Sequence, residues 1–435
     1  MRYYTNQLKE MIGKKVKVAG WVHDTRILGG ICFLILRDSR GKVQITASKD
    51  KVKEKIMENI KALRQEDTII VEGKVVKNKA APGGLEIIPS SIEVISKSAT
   101  PLPLDPRGIT KANLDTRLDW RVLDLRSERS SAIIQIQSKV VEGMEEFLRK
   151  NGFLQVFTPC IIGGISEGGA DVFPVVYFDK QAFLRQDPQL HRQLTILAGY
   201  DKIFDLGPSW RAEPSHTTKH LCEHRGCAVE MGFIKDEHDT MSLEEQLVVA
   251  VLKKIKKECK EQLEILEKEI KIPKTPFPEL RFPQLYDILA EFGKKLQFGQ
   301  DLDRESEKIL ANYVKEKYKT DFFFVNRFPF KVKPFYVMRV DETPEWARSV
   351  DLYFKDIEQS SGGQREHRYE KIISQIREKG INPESLKWFT EPFKYGAIPH
   401  GGFNIGIERF VMALLDIKNI REVVLFPRAP ERYLP

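Results

Sequence analysis

Cysteine is scarce in this chain and long apolar runs are absent. The 435 residues hold 5 cysteines (Cys32, Cys160, Cys222, Cys227 and Cys259), an odd set with no CxxC pair, which excludes a disulfide framework and points to free thiols. The longest apolar runs, such as FFFV at 322–325, fall far short of the ~20 residues a membrane span needs. The N-terminal MRYYTNQLKE has no apolar core of the signal-peptide kind, so the chain is expected in the cytoplasm, without a membrane partner. There is no internal repeat and no low-complexity tract. A hydrophobic content of 41% belongs to a packed globular protein and argues against disorder. The length is too great for one ordinary core.

What is present is a modest excess of positive charge. Lys plus Arg at 70 against Asp plus Glu at 62 gives a net charge of +8, which favours a polyanionic partner. Residues 14–97 alternate apolar and polar positions in KVKVAGWV, ICFLILRD, KVQITAS, TIIVEGKVV and GLEIIPSSIEVI. Gly29-Gly30, Ser39-Arg40-Gly41 and Pro82-Gly83-Gly84 punctuate them, and a helix is expected over about 50–63. Five strands with a helix between the third and fourth fit a small closed barrel of OB type, assigned to 1–98. Pro101, Pro103, Pro106 and Gly108 then mark a stiff linker, 99–126.

Beyond it, over 127–435, Ile133, Ile134, Ile136, Val140, Val141, Met144, Phe147 and Leu148 recur at helical spacing before Gly152. A second long helix is expected to start near Ser242, which forms an S-x-x-E capping box with Glu245. Its buried stripe is Leu243, Leu247, Val248, Val251, Leu252 and Ile255. Strand-like runs (VVYFDKQAFL, KIFDLGPSW, CAVEMGFI, DFFFVNRFP, KPFYVM, SVDLYFKDIEQSS and GGFNIGI) are interspersed without regular βα alternation. That pattern predicts an α+β domain with a mainly antiparallel sheet flanked by helices.

Histidine concentrates in one place. SWRAEPSHTTKHLCEHRGCAVEM at 209–231 holds His216, His220, His224, Cys222 and Cys227. His220, Cys222 and His224 could share a strand face and bind zinc. The alternative is a pocket wall for another ligand.

Three stretches follow one another: NGFLQVFTP ending in Pro159, WRAE at 210–213, and GGFNIGIERF at 401–410. In this order they resemble motifs 1, 2 and 3 of the class II aminoacyl-tRNA synthetases. SEGGADVFPVVYFDK, DPQLHRQ, SSGGQREHR, PHGG and LFPR narrow the resemblance to aspartyl-tRNA synthetases of archaeal or eukaryotic type. The resemblance implies an OB-fold anticodon-binding domain joined to a catalytic domain. The implied activity is ATP-dependent attachment of L-aspartate to tRNA through aspartyl-adenylate, with Mg²⁺ and without zinc.

By the same resemblance, Arg211 binds the α-phosphate and the reacting carboxylate, Glu213 orients adenine, and Arg409 stacks on adenine and reaches the γ-phosphate. Asp351 and Glu358 hold Mg²⁺. Arg365 grips the substrate's side-chain carboxylate, and Glu167, Gln189 and His400 also belong to the amino-acid pocket. His220 keeps a phosphate position beside Lys219. His224 stands where a stacking Phe is usual, which predicts pH-dependent ATP binding. The family's Ser-Pro-Gln-Leu-Tyr-Lys is here Asp187, Pro188, Gln189, Leu190, His191, Arg192, and its pocket aspartate is Ala228. Asp187 would restore the lost carboxylate from a facing strand, with Arg192 keeping the positive charge.

In the barrel, Phe33, Gln44 and Glu72 match positions that stack on and read the anticodon. His23 and Pro82 resemble the pair found in members that charge both tRNA(Asp) and tRNA(Asn). Motif 1, with Phe153, Val156 and Pro159, implies a homodimer. The alternatives are a paralogue for another amino acid, an asparaginyl-tRNA synthetase or asparagine-synthetase-like ligase, or a non-catalytic tRNA-binding protein.

Overall fold

The computed structural model describes residues 1–164, 171–212 and 217–434. The chain forms two compact units, Met1–Ala112 and Asn113–Pro435.

In the first unit, β1 (Lys15–Leu28), β2 (Ile31–Asp38), β3 (Gly41–Ser48), β4 (Thr68–Lys77) and β5 (Leu85–Ser96) close a barrel in the order β1-β2-β3-β5-β4, with α1 (Glu54–Lys61) between β3 and β4. Alternation makes this barrel. Cys32, Leu34 and Leu36 of β2 are fully buried with Val18, Ile45, Ile69 and Val71, whereas Phe33 faces outward between them. An ion pair is buried there too: Arg37 donates to both carboxylate oxygens of Glu66 at 2.9 and 2.8 Å.

The second unit begins with α2 (Leu114–Asp119), α3 (Arg121–Asp124) and α4 (Glu128–Lys150). There follow β6 (Leu154–Gln155), β7 (Ile161–Ile162), β8 (Pro174–Tyr177), β9 (Lys180–Leu184), α5 (Gln189–Leu197), β10 (Lys202–Trp210) and β11 (Glu223–Gly232). Next come α6 (Glu237–Glu258), α7 (Lys260–Ile265), β12 (Glu279–Arg281), α8 (Gln284–Glu291), α9 (Arg304–Tyr318) and β13 (Phe322–Asn326). The last elements are β14 (Ser349–Phe354), β15 (Ile357–Arg365), α10 (Tyr369–Glu378), α11 (Lys387–Thr390), β16 (His400–Gly406) and α12 (Ile407–Leu414).

An eight-stranded sheet runs β12-β13-β14-β15-β16-β11-β10-β6, and β7-β9-β8 form a separate three-stranded sheet. The large sheet is antiparallel except at its ends, where β12 pairs with β13 and β6 with β10 in parallel. Strand parity divides its faces. Val350 and Leu352 of β14, Phe403 and Ile405 of β16, and Cys227 and Val229 of β11 pack on α4, α6 and α12. The alternate residues, among them Asp351, Asn404, Gly226 and Glu230, belong to the opposite face.

Two expectations are corrected. The helix expected from Ser242 starts at Glu237, because Asp236 caps it by accepting the His238 backbone N–H. Glu245 closes no capping box; its carboxylate accepts the Phe277 backbone N–H at 2.6 Å. KPFYVM is not a strand. Pro334 has no N–H to give a ladder, and among the described residues the segment makes one isolated bridge, Val337 to Arg365, with a second just beyond it, Arg339 to Ala347.

Candidate functional site

On the face opposite α4, α6 and α12 lies a cavity of about 850 Å³. At one end Arg365, 5% exposed, comes from the last position of β15. Its Nε donates to Glu230 Oε1 at 3.0 Å, and its Nη2 to Gln189 Oε1 at 3.1 Å and the Gly402 carbonyl at 3.1 Å. Nη1 has no protein partner among the described residues. Glu230, fully buried on β11, also accepts from Gln189 Nε2 at 2.9 Å. The approach of β16 to β11 requires glycine at 402, where a Cβ would lie 1.9 Å from the Val229 carbonyl oxygen.

Arg192, 1% exposed, turns its fork onto Asp187, with Nη1 to Oδ1 at 2.6 Å and Nη2 to Oδ2 at 2.8 Å, and reaches Gln189 Oε1 at 2.7 Å. Five side chains thus form one buried network: Asp187, Arg192, Gln189, Glu230 and Arg365. Asp187 comes from the turn between β9 and α5 rather than from a facing strand, a correction to its expected position. Ala228 lies between Gly226 and Glu230 in β11.

The remaining lining residues include Arg211, Lys219, His220, His224, Asp351, Glu358 and Arg409. Lys219 Nζ lies 3.4 Å from the Asp356 carbonyl, the His220 ring bonds the Thr217 hydroxyl, and Arg409 Nη1 lies 3.8 Å from Glu358 Oε1. A bulge between Leu352 and Tyr353 shifts the β14–β15 register, so Tyr353 faces Glu358 while Asp351 faces Ser361. Burial raises the Asp351 carboxyl to about 6 against the pull of Lys333, whose Nζ lies 2.8 Å from Oδ2. Ser361 also draws the value down without closing a hydrogen bond on Oδ1, which is buried with no partner. Two carboxylates on adjacent strands, one with an unsatisfied oxygen, are a donor set that suits a hard cation such as Mg²⁺.

Glu167 and Glu213, with His216, lie outside the described residues. His400 does not line the cavity. It is fully buried, with Nδ1 at 2.8 Å from the Ile398 carbonyl and Nε2 at 3.1 Å from Gln193 Oε1. Among the described residues, the histidine, cysteine and acid side chains able to converge on one ion are Asp236, Glu237 and His238, not His220, Cys222 and His224. That trio is better described as an ion-pair network. Glu279 is the main cause that raises the His238 imidazole to about 9, and Arg327 pairs with Glu237 at 2.6 Å. A protonated ring binds no metal.

In the barrel, Phe33 and Gln44 lie on the outer side of β2 and β3, with Gln44 Nε2 donating to Thr46 and Glu86 at 3.1 Å each. Glu72 is exposed on β4 and 3.3 Å from Lys17. Pro82 is exposed in the turn Pro82–Gly84. His23 lies at a bulge in β1, its Nδ1 at 3.2 Å from Arg37 Nη1. Arginine can only donate, so Nδ1 accepts and the ring proton resides on Nε2.

Sequence reasoning missed Glu230, Lys333 and Asn404. For Glu230 a signal existed: it shares strand parity with His224 and is the one acid inside VEM. Lys333 carried none, because it acts across 18 residues of chain. Asn404 was hidden by Gly226, where a Cβ would lie 2.2 Å from its Oδ1.

The pH dependence expected from His224 falls well below neutrality. Withdrawal from water, then Arg211 and Arg409, lower its imidazole to about 4. The ring is therefore neutral from about pH 5 upward. Its folded value lies below the unfolded value, so its contribution to stability is complete above about 6.5 and is lost as pH falls toward 4. In NMR of ¹³C-histidine-labelled protein the His224 resonance should titrate with a midpoint near 4. A midpoint of about 6 or higher would refute this environment.

Comparisons with known proteins agree with this architecture. The family of class II tRNA synthetases (D, K and N) matches residues 113–430, and the OB-fold nucleic acid binding domain matches 16–95. The chain is 46% identical to an aspartate-tRNA(Asp) ligase of Pyrococcus abyssi, covering 100% of this chain and 99% of that protein. It is 44% identical to an aspartate-tRNA(Asp/Asn) ligase of Methanopyrus kandleri, over 100% and 99% of the two chains. An asparaginyl-tRNA synthetase of Pyrococcus horikoshii, solved with asparaginyl-adenylate, superposes with a TM-score of 0.93 at 34% identity, over 100% of both chains. With a barrel and a catalytic sheet both matched, the chain belongs to the class II tRNA synthetases of the D, K and N group.

Proposed function

We propose that the protein uses ATP to join L-aspartate to tRNA, through aspartyl-adenylate, and serves both tRNA(Asp) and tRNA(Asn) in the cytoplasm. The observation that carries the choice of amino acid is Arg365. Its Nε and Nη2 are taken by Glu230, Gln189 and Gly402, leaving Nη1 to receive a side-chain carboxylate in a site shielded from water. Full-length similarity to aspartate-tRNA ligases supports the same reading.

In this reading the α-carboxylate of aspartate attacks the α-phosphorus of ATP, and pyrophosphate leaves. Arg211 lies against the α-phosphate and the attacking carboxylate, where a fixed positive charge favours the transition state over the ground state. Glu213 orients adenine between His224 and Arg409, and the neutral His224 ring stacks at any pH above about 5. His220 and Lys219 take the outer phosphates. Asp351 and Glu358 would hold Mg²⁺, which offsets phosphate charge. The 3′-hydroxyl of tRNA then attacks the aspartyl carbonyl, AMP leaves as the acyl–phosphate bond breaks, and no side-chain nucleophile is involved.

Asp187 is the acceptor for the substrate ammonium, with Glu167 and Gln189. Arg192 donates to both of its oxygens, and Asp187 lines the cavity beside Gln189. The acid absent at Ala228 is thereby supplied from the β9–α5 turn, and Arg192 serves to hold it. His400, bonded to Ile398 and Gln193, supports α5 from beneath.

At the barrel, Phe33 stacks on a base while Gln44 and Glu72 read base edges. His23, at the β1 bulge beside Arg37, and exposed Pro82 are the pair that resembles members charging both tRNAs, and Pro82 adds no charge that would select between cytosine and uracil. A homodimer accounts for the surface around motif 1. Phe157 is 84% and Leu154 48% exposed, beside β6 at an open sheet edge. Sedimentation at the 50.2 kDa of one chain would count against it.

Aspartate-dependent exchange of pyrophosphate into ATP tests the first step, and charging of unmodified transcripts with GUC and GUU anticodons tests the second. Exchange with aspartate and charging of both transcripts are expected. Exchange with asparagine alone would transfer the protein to the second reading, which the asparaginyl-tRNA synthetase likeness favours. Charging of GUC alone would refute the dual tRNA use.

A further inference from the structure

We propose that Lys333 is a built-in counter-ion to Asp351 that keeps the Asp351–Glu358 pair from taking a divalent cation until a polyanionic nucleotide arrives. The inference rests on the reading above that these two carboxylates hold Mg²⁺.

Lys333 follows the short turn Phe330–Val332 and precedes Pro334. Its Nζ lies 2.8 Å from Asp351 Oδ2, with the two side chains only 10% and 6% exposed. The same ammonium sits over the Phe328 ring, 3.6 Å from its centroid, so an aromatic face helps hold it where it is. Asp351 is therefore divided. Oδ2 is committed to Lys333, while Oδ1 is buried without a partner. Both residues line the cavity with Glu358 and Asp301.

This arrangement sets an order of events. A divalent cation reaching Oδ1 in the empty cavity would stand a few ångströms from a fixed positive charge in a place where water screens poorly, and like charges there repel strongly. The charge of Asp351 is already matched, so the bare site has little to offer a second cation. Phosphates change the balance by bringing several negative charges, which Lys333 and the cation then share. Metal uptake becomes dependent on nucleotide without any moving lid. If Lys333 served only to hold Asp351 in position for the metal, removing it would weaken cation binding. The counter-ion role predicts the opposite sign.

The test is Mn²⁺ binding to the full chain, read as the loss of the free-ion EPR signal, with and without β,γ-methylene-ATP. The native protein should bind Mn²⁺ at least tenfold more tightly with the analogue than without it. Lys333→Met should bind Mn²⁺ without nucleotide at least tenfold more tightly than the native protein, and Asp351→Asn in that background should abolish the gain. Equal or weaker binding by Lys333→Met overturns the proposal, as does native protein that takes up Mn²⁺ equally well with and without the analogue. Lys333→Gln, checked by thermal unfolding, repeats the measurement if the methionine variant does not fold. Should Asp351→Asn in the native background leave Mn²⁺ uptake with the analogue unchanged, the metal assignment fails, and the role of Lys333 with it. A failure of Lys333→Met alone, with Asp351 still required, leaves that assignment standing.

Discussion

A guanidinium removed from water must be held by its neighbours, and Arg365 is held by Glu230, Gln189 and the Gly402 carbonyl. This one interaction organises the closed end of the cavity. Glu230 is fully buried, so its charge is tolerable only beside a cation. Gln189 bridges the two arginines by accepting from both at one oxygen and donating to Glu230 from its nitrogen. Arg192 in turn has Asp187 as its counter-ion. Removing one member would leave another uncompensated in a place water does not reach, so in our reading the pocket is a rigid receptor formed before any ligand arrives.

Around that floor, the sheet separates two kinds of work. Strand parity gives one face to the apolar packing of α4, α6 and α12 and the other to polar side chains. The same hairpin that buries Val350 and Leu352 therefore carries Asp351 into the cavity. Charges of opposite sign are then distributed along it: Arg365 at the closed end, Asp351 with Lys333 and Glu358 on the β14–β15 hairpin, and Arg211, Lys219 and Arg409 also facing in. A substrate with carboxylates at one end and phosphates at the other matches this distribution.

Where strand alternation or helical spacing was strong, the sequence was legible. The five barrel strands follow alternation, and α4 follows its apolar stripe, because burial on one side imposes a period that residues must obey. The start of α6 was misplaced because two caps competed in the sequence, and Asp236 provides the side-chain acceptor that the helix uses. Pro334 hid a similar error in KPFYVM, where composition suggests a strand but a missing N–H prevents one. Of the site, the motif residues were legible to the extent that Arg211, His224, Asp351, Glu358, Arg365 and Arg409, which come from several elements, all line one cavity. What was not legible is pairing across space. Nothing local marks Lys333 as the partner of Asp351, and the lowered His224 imidazole depends first on burial and then on Arg211 and Arg409 arriving from elsewhere.

The account depends most on Arg365 receiving a carboxylate without leaving its partners. The direct measurement is a crystal structure of the protein with L-aspartate. The side-chain carboxylate should lie about 2.7–2.9 Å from Arg365 Nη1, with the bonds from Arg365 to Glu230, Gln189 and Gly402 intact. Aspartate bound elsewhere, or an Arg365 that has turned away from Glu230 to meet it, would contradict a pocket assembled in advance.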